Sequence, residues 1–368
     1  MNKFEFIDLK TPLKKYKKRI NERIKRVLDH GQFIMGPEVK ELEDKLSKYV
    51  GVKYCTTTAS GTDALLISLM SLGIKRGDEV ITTPFSFIST AEVIVLVGAK
   101  PVFVDIKLET CNIDPNLLES KITKRTKAII AVSLFGQPAE FKDINYIAKK
   151  YNIPVIEDAA QSFGSNYRGK KSCNLSLIGC TSFFPSKPLG CFGDGGAIFT
   201  NNKKIYELTS KIRVHGAIKK YIHKHIGVQG RMDTLQCAVV LAKFTFFEKE
   251  LLERKKIGEY YNKQFDKINL KRIEIIPDAT SVYGQYTVFF KKRDKIKELL
   301  NNLNIPTAIN YPLPIDFQEP YSNFSKKLNS NSVIASKNVL SLPMHPYLNQ
   351  VDQNFIINNI KKILDKTK

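Results

Sequence analysis

Phe141-Lys-Asp-Ile-Asn-Tyr-Ile-Ala-Lys-Lys150-Tyr-Asn-Ile153-Pro-Val-Ile-Glu-Asp158 is the stretch whose reading decides the fold. Phe141 to Lys150 reads as a helix. Ile153 to Asp158, a short apolar run ending in acid, reads as a buried parallel strand with the aspartate at its carboxyl end. Working outward, the same alternation recurs. Asp63 to Leu72 reads as helix, Glu79 to Thr83 as strand, Ser89 to Val97 as helix, Pro101 to Asp105 and Ala128 to Leu134 as strands, and Gly196 to Thr200 as a further strand. This pattern predicts an α/β fold, a mostly parallel sheet sandwiched by helices. After Arg231 the character changes. A long helical region from Asp233 to about Phe265 precedes a strand at Tyr286 to Phe290 and a helix from Asp294 to Leu303. A loop with Pro312, Pro314 and Pro320 follows, then a last helix near Gln353 to Leu364. The expected division is a large domain over 1–235 and a smaller α+β domain over 236–368.

With 368 residues, 43% of them hydrophobic, the chain can bury a large core. No apolar run approaches the ~20 residues of a membrane span, and the first residues carry no signal-peptide pattern, so a cytoplasmic protein is expected. The six cysteines, Cys55, Cys111, Cys173, Cys180, Cys191 and Cys237, form no Cys-x-x-Cys pair and have no histidines at ligand spacing. They read as reduced and mostly buried, with no metal site, and Cys191 reads as a small apolar filler. The net charge of +22 raises nucleic-acid binding as a class. The lysines, however, form short clusters over the whole chain and accompany no nucleic-acid-binding signature, so neither nucleic acid nor membrane is an expected partner. A positive field would still attract an anionic, phosphate-bearing substrate.

The second informative stretch is Ser182-Phe-Phe-Pro-Ser-Lys187-Pro-Leu-Gly-Cys-Phe-Gly-Asp-Gly-Gly196. A lysine in a glycine-framed turn, with a carboxylate at a nearby strand end, is what a pyridoxal 5′-phosphate site needs. The lysine forms a Schiff base with the cofactor aldehyde, and the carboxylate keeps the ring nitrogen protonated. Lys187 and Asp158 suit these roles. The freed amine of Lys187 could then serve as general base and acid. In open α/β sheets, ligands gather at the strand end where Asp158 is expected.

Around this pair, Gly61 and Thr62, at the start of the helix opened by Ser60-Gly-Thr-Asp-Ala-Leu65, would offer backbone N–H groups and a hydroxyl to a phosphate. Ser182 can add a second hydroxyl. In Pro84-Phe85-Ser86-Phe87, which follows a strand, Phe87 is the ring chosen to stack on the cofactor. Gln161, one turn beyond Asp158, could bond the ring hydroxyl or orient Asp158.

These residues resemble the sugar aminotransferases of the DegT/DnrJ/EryC1/StrS group, which have the aspartate aminotransferase type I fold. The likeness runs essentially end to end, through Gly31-Gln-Phe-Ile-Met-Gly-Pro37, Val155-Ile-Glu-Asp-Ala-Ala-Gln-Ser-Phe-Gly164, Gly230-Arg-Met-Asp-Thr-Leu-Gln236 and Ser341-Leu-Pro-Met-His-Pro-Tyr347 as well as the segments above. The wording is most similar to enzymes that aminate C3 of UDP-2-acetamido-2-deoxy-3-oxo-D-glucuronate with L-glutamate, on the way to sugars of bacterial surface polysaccharides. The resemblance implies a homodimer with shared active sites to which the 229–231 loop contributes. It also implies a substrate-binding role for Arg231, whose planar fork suits a sugar carboxylate or a diphosphate, and for Asn310 and Tyr311. Gln229 stands where many members carry an asparagine that reaches the neighbouring cofactor phosphate, and Asn310 where uronate-specific members carry histidine. Asn310 keeps open a rival substrate, a 3- or 4-keto-6-deoxy nucleotide sugar. A dehydratase of the same fold would carry histidine in place of Lys187. A non-catalytic regulator or nucleic-acid binder would have no need of Asp158, Gln161, Ser182 and Lys187 together.

Overall fold

The alternation read from the sequence is realised as a seven-stranded sheet with helices on both faces. The structure, a computed structural model, describes residues 5–324 and 330–367. The sheet strands are β1 (Tyr54–Thr58), β2 (Glu79–Thr82), β3 (Lys100–Phe103), β4 (Thr126–Val132), β5 (Val155–Asp158), β6 (Ile178–Ser182) and β7 (Gly196–Thr200), in the order β1-β7-β6-β5-β4-β2-β3. Strand β7 runs antiparallel to both of its neighbours. All other neighbouring pairs are parallel. The helices in this part are α1 (Lys10–His30), α2 (Pro37–Val50), α3 (Gly61–Ser71), α4 (Ser89–Leu96), α5 (Phe141–Lys150), α6 (Lys203–Ile212) and α7 (Thr234–Phe244).

Alternate residues of the central strands serve two separate cores, which is why the strands are apolar throughout. Val80, Ala128, Ile130, Ile156 and Ile178 pack with Ala64, Leu65 and Ile67 of α3 and with Val93 and Ile94 of α4. Ile81, Ile129, Ala131 and Val155 pack on the opposite face with Phe141, Ile144 and Ala148 of α5. In β5 the side chains of Val155 and Glu157 therefore share one face, and those of Ile156 and Asp158 the other.

The helical region expected from Asp233 to Phe265 is two helices, α7 and α8 (Phe247–Asp266), separated at Thr245 and Phe246. Phe247 turns inward there and stacks on Phe163 with ring centroids 5.7 Å apart. The residues 236–247 share a core with α2 and β7: Cys237, Val239, Val240, Leu241 and Phe247 pack with Leu42, Leu46 and Phe199. Helix α1 closes over α7 through Tyr16, Ile20 and Ala242. A separate core begins at Ile257. It joins α8 to the antiparallel pair β8 (Tyr286–Phe289) and β9 (Val339–Leu342), to α9 (Arg293–Asn302) and to α11 (Gln350–Thr367), the last through Ile356, Ile357 and Ile360. Helix α10 (Asn331–Asn338) leads into β9. All six cysteines are free and buried. Among the described residues no helix is long and apolar enough to cross a membrane.

Candidate active site

Strand β5 delivers Asp158 to its carboxyl end between Val132 of β4 and Cys180 of β6. The carboxylate is 6% exposed. Thr90 Oγ1 donates to its Oδ2 at 3.0 Å, and the Ala160 N–H donates to its Oδ1 at 3.2 Å. Burial pushes the Asp158 pKa up, while these two donors and the charge of Lys187 pull against it. Lys187 shows the reciprocal balance. Burial favours its neutral amine and the Asp158 carboxylate opposes that. The two groups expected from the sequence to form a pair thus act on each other across a poorly solvated gap.

The turn that carries Lys187 is held from several sides. The Lys187 N–H donates to the Phe184 carbonyl at 2.9 Å, the Cys191 N–H to the Phe183 carbonyl at 2.7 Å, and the Phe183 N–H to the Gly195 carbonyl at 2.7 Å. Gly190 is required by space, since a Cβ there would lie 2.5 Å from the Pro185 carbonyl oxygen. From below, Lys243 of α7 donates its ammonium to the Gly190 carbonyl. These bonds limit the places the Lys187 amine can reach.

A second pocket wall forms where α3 begins. Ser60 caps the helix, accepting the Asp63 N–H at 3.0 Å. The N–H groups of Gly61 and Thr62 belong to the first turn, which has no intrahelical acceptors. A Cβ on Gly61 would come within 2.7 Å of the Ser182 Cβ, so the bare glycine lets the helix start and the end of β6 close on one another. Ser182 Oγ accepts the Phe184 N–H at 3.2 Å, which leaves its own proton to donate. Backbone donors, a hydroxyl and a positive helix end therefore converge on one spot, the donor set a phosphate monoester takes.

Gln161 is fixed at both ends. Its Oε1 accepts the Phe135 N–H at 3.0 Å, and its Nε2 donates to the Tyr311 hydroxyl at 3.1 Å. Burial pushes the Tyr311 phenol up and keeps it neutral. Tyr311 meets Phe85 edge-on, with centroids 6.1 Å apart. Phe85 is fully buried and Phe87 is 56% exposed, so of the two rings Phe87 has the free face. The 229–231 loop lies beside the α3 turn, where the Ala59 N–H donates to the Gly230 carbonyl at 2.9 Å. Gln229 is exposed, Arg231 is half-buried with an unpartnered Nε, and Asn310 has a buried, unpartnered Oδ1. Sequence reasoning missed Thr90, the Phe135 N–H and Lys243. Their bonds join residues far apart in the chain, and no local spacing signals them.

The structure thus sets a desolvated lysine against a buried carboxylate at the carboxyl ends of parallel strands, with a phosphate cradle alongside. That is the constellation of a pyridoxal 5′-phosphate enzyme. The chain belongs to the DegT/DnrJ/EryC1/StrS aminotransferase family, which matches it over residues 14–361. It is 52% identical over 344 residues to the UDP-2-acetamido-2-deoxy-3-oxo-D-glucuronate aminotransferase of Pseudomonas aeruginosa, covering 94% of this chain and 96% of that one. Among solved structures it is similar to DesV of S. venezuelae in complex with a ketimine intermediate, with a TM-score of 0.96, 30% identity and 98% of each chain covered. It is also similar to NtdA of Bacillus subtilis with bound cofactor PMP, with a TM-score of 0.92, 27% identity and coverage of 99% of this chain and 86% of that one. The fold is that of aspartate aminotransferase type I, the protein is an aminotransferase, and pyridoxal 5′-phosphate is its cofactor.

Proposed function

We propose that the protein moves the amino group of L-glutamate to C3 of UDP-2-acetamido-2-deoxy-3-oxo-D-glucuronate and so supplies an amino sugar for a bacterial surface polysaccharide of the O-antigen or lipopolysaccharide kind. The observation that carries the reading is the Lys187–Asp158 pair beside the Gly61–Ser182 cradle. It lies in a chain half identical to an enzyme of that name.

Bound pyridoxal phosphate supplies an aldehyde carbon that takes the amine and a ring that draws off the electron pair left when a proton departs. Lys187 would hold that carbon in the resting protein. Once displaced, its Nζ would carry the proton to and from the substrate carbon that bears nitrogen, a task suited to an amine that desolvation shifts toward its neutral, proton-accepting form. Asp158 would keep the proton on the ring nitrogen. Gly61, Thr62 and Ser182 would hold the phosphate, Phe87 would cover one face of the ring, and Gln161, oriented by Tyr311, would bond the ring hydroxyl.

Arg231 would meet the sugar carboxylate or the diphosphate, and its unpartnered Nε supports that role. Asn310, with its unpartnered Oδ1, and Tyr311 would line the sugar. The assembly proposed is a homodimer in which Gln229 reaches the neighbouring site. Ile218, Tyr221, Ile222 and Ile226, which lead to Gln229, are exposed apolar side chains that suit an interface. A cytoplasmic setting accords with six free cysteines.

The test is a two-stage assay. Protein loaded with pyridoxal phosphate should release 2-oxoglutarate from L-glutamate, and the loaded amine should then pass to the UDP-linked 3-oxo uronate with the highest kcat/KM of a keto-sugar panel. Asn310, in place of a histidine, favours a second reading with a 3- or 4-keto-6-deoxy nucleotide sugar, and a panel preference for such a sugar would replace the first assignment.

A further inference from the structure

Thr90 is the second residue of α4 and is fully buried, and Ser86 is buried one turn before it. Thr90 Oγ1 stands 3.0 Å from Asp158 Oδ2 and 3.2 Å from Ser86 Oγ. An ionised carboxylate only accepts. The Thr90 proton therefore points to Asp158, and the Ser86 hydroxyl donates to Thr90 in turn. Two hydroxyls in line, shielded from water, polarise one another and strengthen the bond to the charged end.

We infer that Thr90 is a positioning residue for the cofactor ring: its hydroxyl, backed by Ser86, orients the Asp158 carboxylate and keeps it ionised so that the carboxylate retains the proton on the ring nitrogen. The inference rests on the proposed seat of Asp158 beneath that nitrogen. One short segment then serves the ring twice, since Phe87 and Thr90 are three residues apart. Burial works against an ionised Asp158, and the Thr90 donor is among the contacts that offset it. The other titratable groups that act on or feel Asp158 are Lys187, Tyr311, Cys180 of β6, Cys173 and its own neighbour Glu157. Of these, Lys187 alone favours the charged form, and that amine is displaced during turnover. The fixed contributions are the Ala160 N–H and the hydroxyl chain, and of the two the hydroxyl chain is the one a side-chain substitution removes.

Thr90→Val removes the hydroxyl at nearly constant volume. By equilibrium dialysis the variant should hold pyridoxal phosphate roughly tenfold to a hundredfold more weakly, the span of a hydrogen bond to a charged group. The acid limb of its visible absorption titration should move to higher pH, because a carboxylate that loses a donor binds its proton more tightly. Thr90→Ser should restore both properties, and Ser86→Ala should show the same shifts at smaller size. Wild-type affinity and acid limb in Thr90→Val, or an equal defect in Thr90→Ser, would overturn the inference. If Thr90→Val does not fold, Ser86→Ala decides, and an unmoved acid limb there is the overturning result. Asp158→Asn separates the two layers. If it too leaves affinity and titration untouched, the seat assigned to Asp158 fails; if it changes them and the Thr90 and Ser86 variants do not, the role of Thr90 alone fails.

Discussion

Two buried pairs of opposite charge sit in the same half of the molecule and are built in opposite ways. Arg213 and Glu43 touch directly. Arg213 Nη1 lies 2.5 Å from Glu43 Oε1 and also reaches the Thr57 carbonyl at 2.9 Å, while Glu43 takes the Thr57 N–H at 2.8 Å and its hydroxyl at 2.9 Å. The pair ties α2, β1 and the end of α6 together. At Asp158 and Lys187 burial instead drives both groups toward their neutral forms, and their mutual attraction offsets this only in part. A charge pair in direct contact serves the fold. A pair whose members act on each other only at a distance is held ready for a third group, and its cost must be met by the surrounding structure, as by Thr90 and the Ala160 N–H for Asp158.

The contrast can be broken most sharply at Lys187. Lys187→Ala should abolish both half-reactions, lowering turnover by at least a thousandfold, while the melting temperature of the cofactor-free protein stays the same or rises. Turnover of more than a few per cent would refute its role. Next comes the fold-serving pair: Arg213→Met leaves the Glu43 carboxylate buried and unpaired, with an expected stability loss of about 3–5 kcal/mol. Denaturant titration should detect that loss, while the rate per folded molecule stays near the wild-type value. Asp158→Asn should reverse that profile, lowering the single-turnover rate with L-glutamate about a hundredfold or more with little loss of stability. Gly61→Ala tests the cradle beside the pair. Its methyl group meets Ser182, so cofactor affinity should fall by about tenfold with the apoprotein still folded, as dialysis and circular dichroism would report.

The smallest expected effect belongs to Glu157, the acid on the other face of β5. Ser172 Oγ donates to it at 2.6 Å and the Cys173 N–H at 2.8 Å, and burial still raises its pKa from 4.5 to about 7. The folded protein therefore binds this proton more tightly than the unfolded chain. The resulting stability is complete below about pH 4.5 and is lost as pH rises toward 7. Glu157→Gln should flatten that part of the stability profile, and an unchanged slope would show that Glu157 is not its source.

Five of the seven sheet strands were legible because burial of both faces writes uninterrupted apolar runs such as Ala128 to Val132, separated by amphipathic helices such as α5. Strands β1 and β6, with Thr56 to Thr58 and Gly179 to Ser182, carry no such run. Strand direction was not legible. Gly196 to Thr200 carries the same apolar character whether it runs parallel or antiparallel, and the partners that reverse it, β1 and β6, are remote in sequence. The break at Thr245 and Phe246 was hidden because both flanking segments favour helix, and only the docking of Phe247 against Phe163 divides them. The aminotransferase class was legible because the lysine turn and the Val155 to Gly164 segment compress the chemistry into contiguous residues. The bonds that orient that chemistry were not, since Thr90 meets Asp158 across 68 residues and Gln161 meets Tyr311 across 150. Such contacts exist only once the chain is folded.

Burial also leaves a practical opening among the sulfurs. All six thiols are enclosed, and burial raises the pKa of each one. Thiolate, the form that alkylating reagents attack, is therefore scarce throughout the native protein. A single cysteine introduced on the surface, for instance at the 73%-exposed Val351, would be labelled by a maleimide dye against a nearly silent background. The chain comes ready for site-specific fluorescence without first being stripped of its own cysteines.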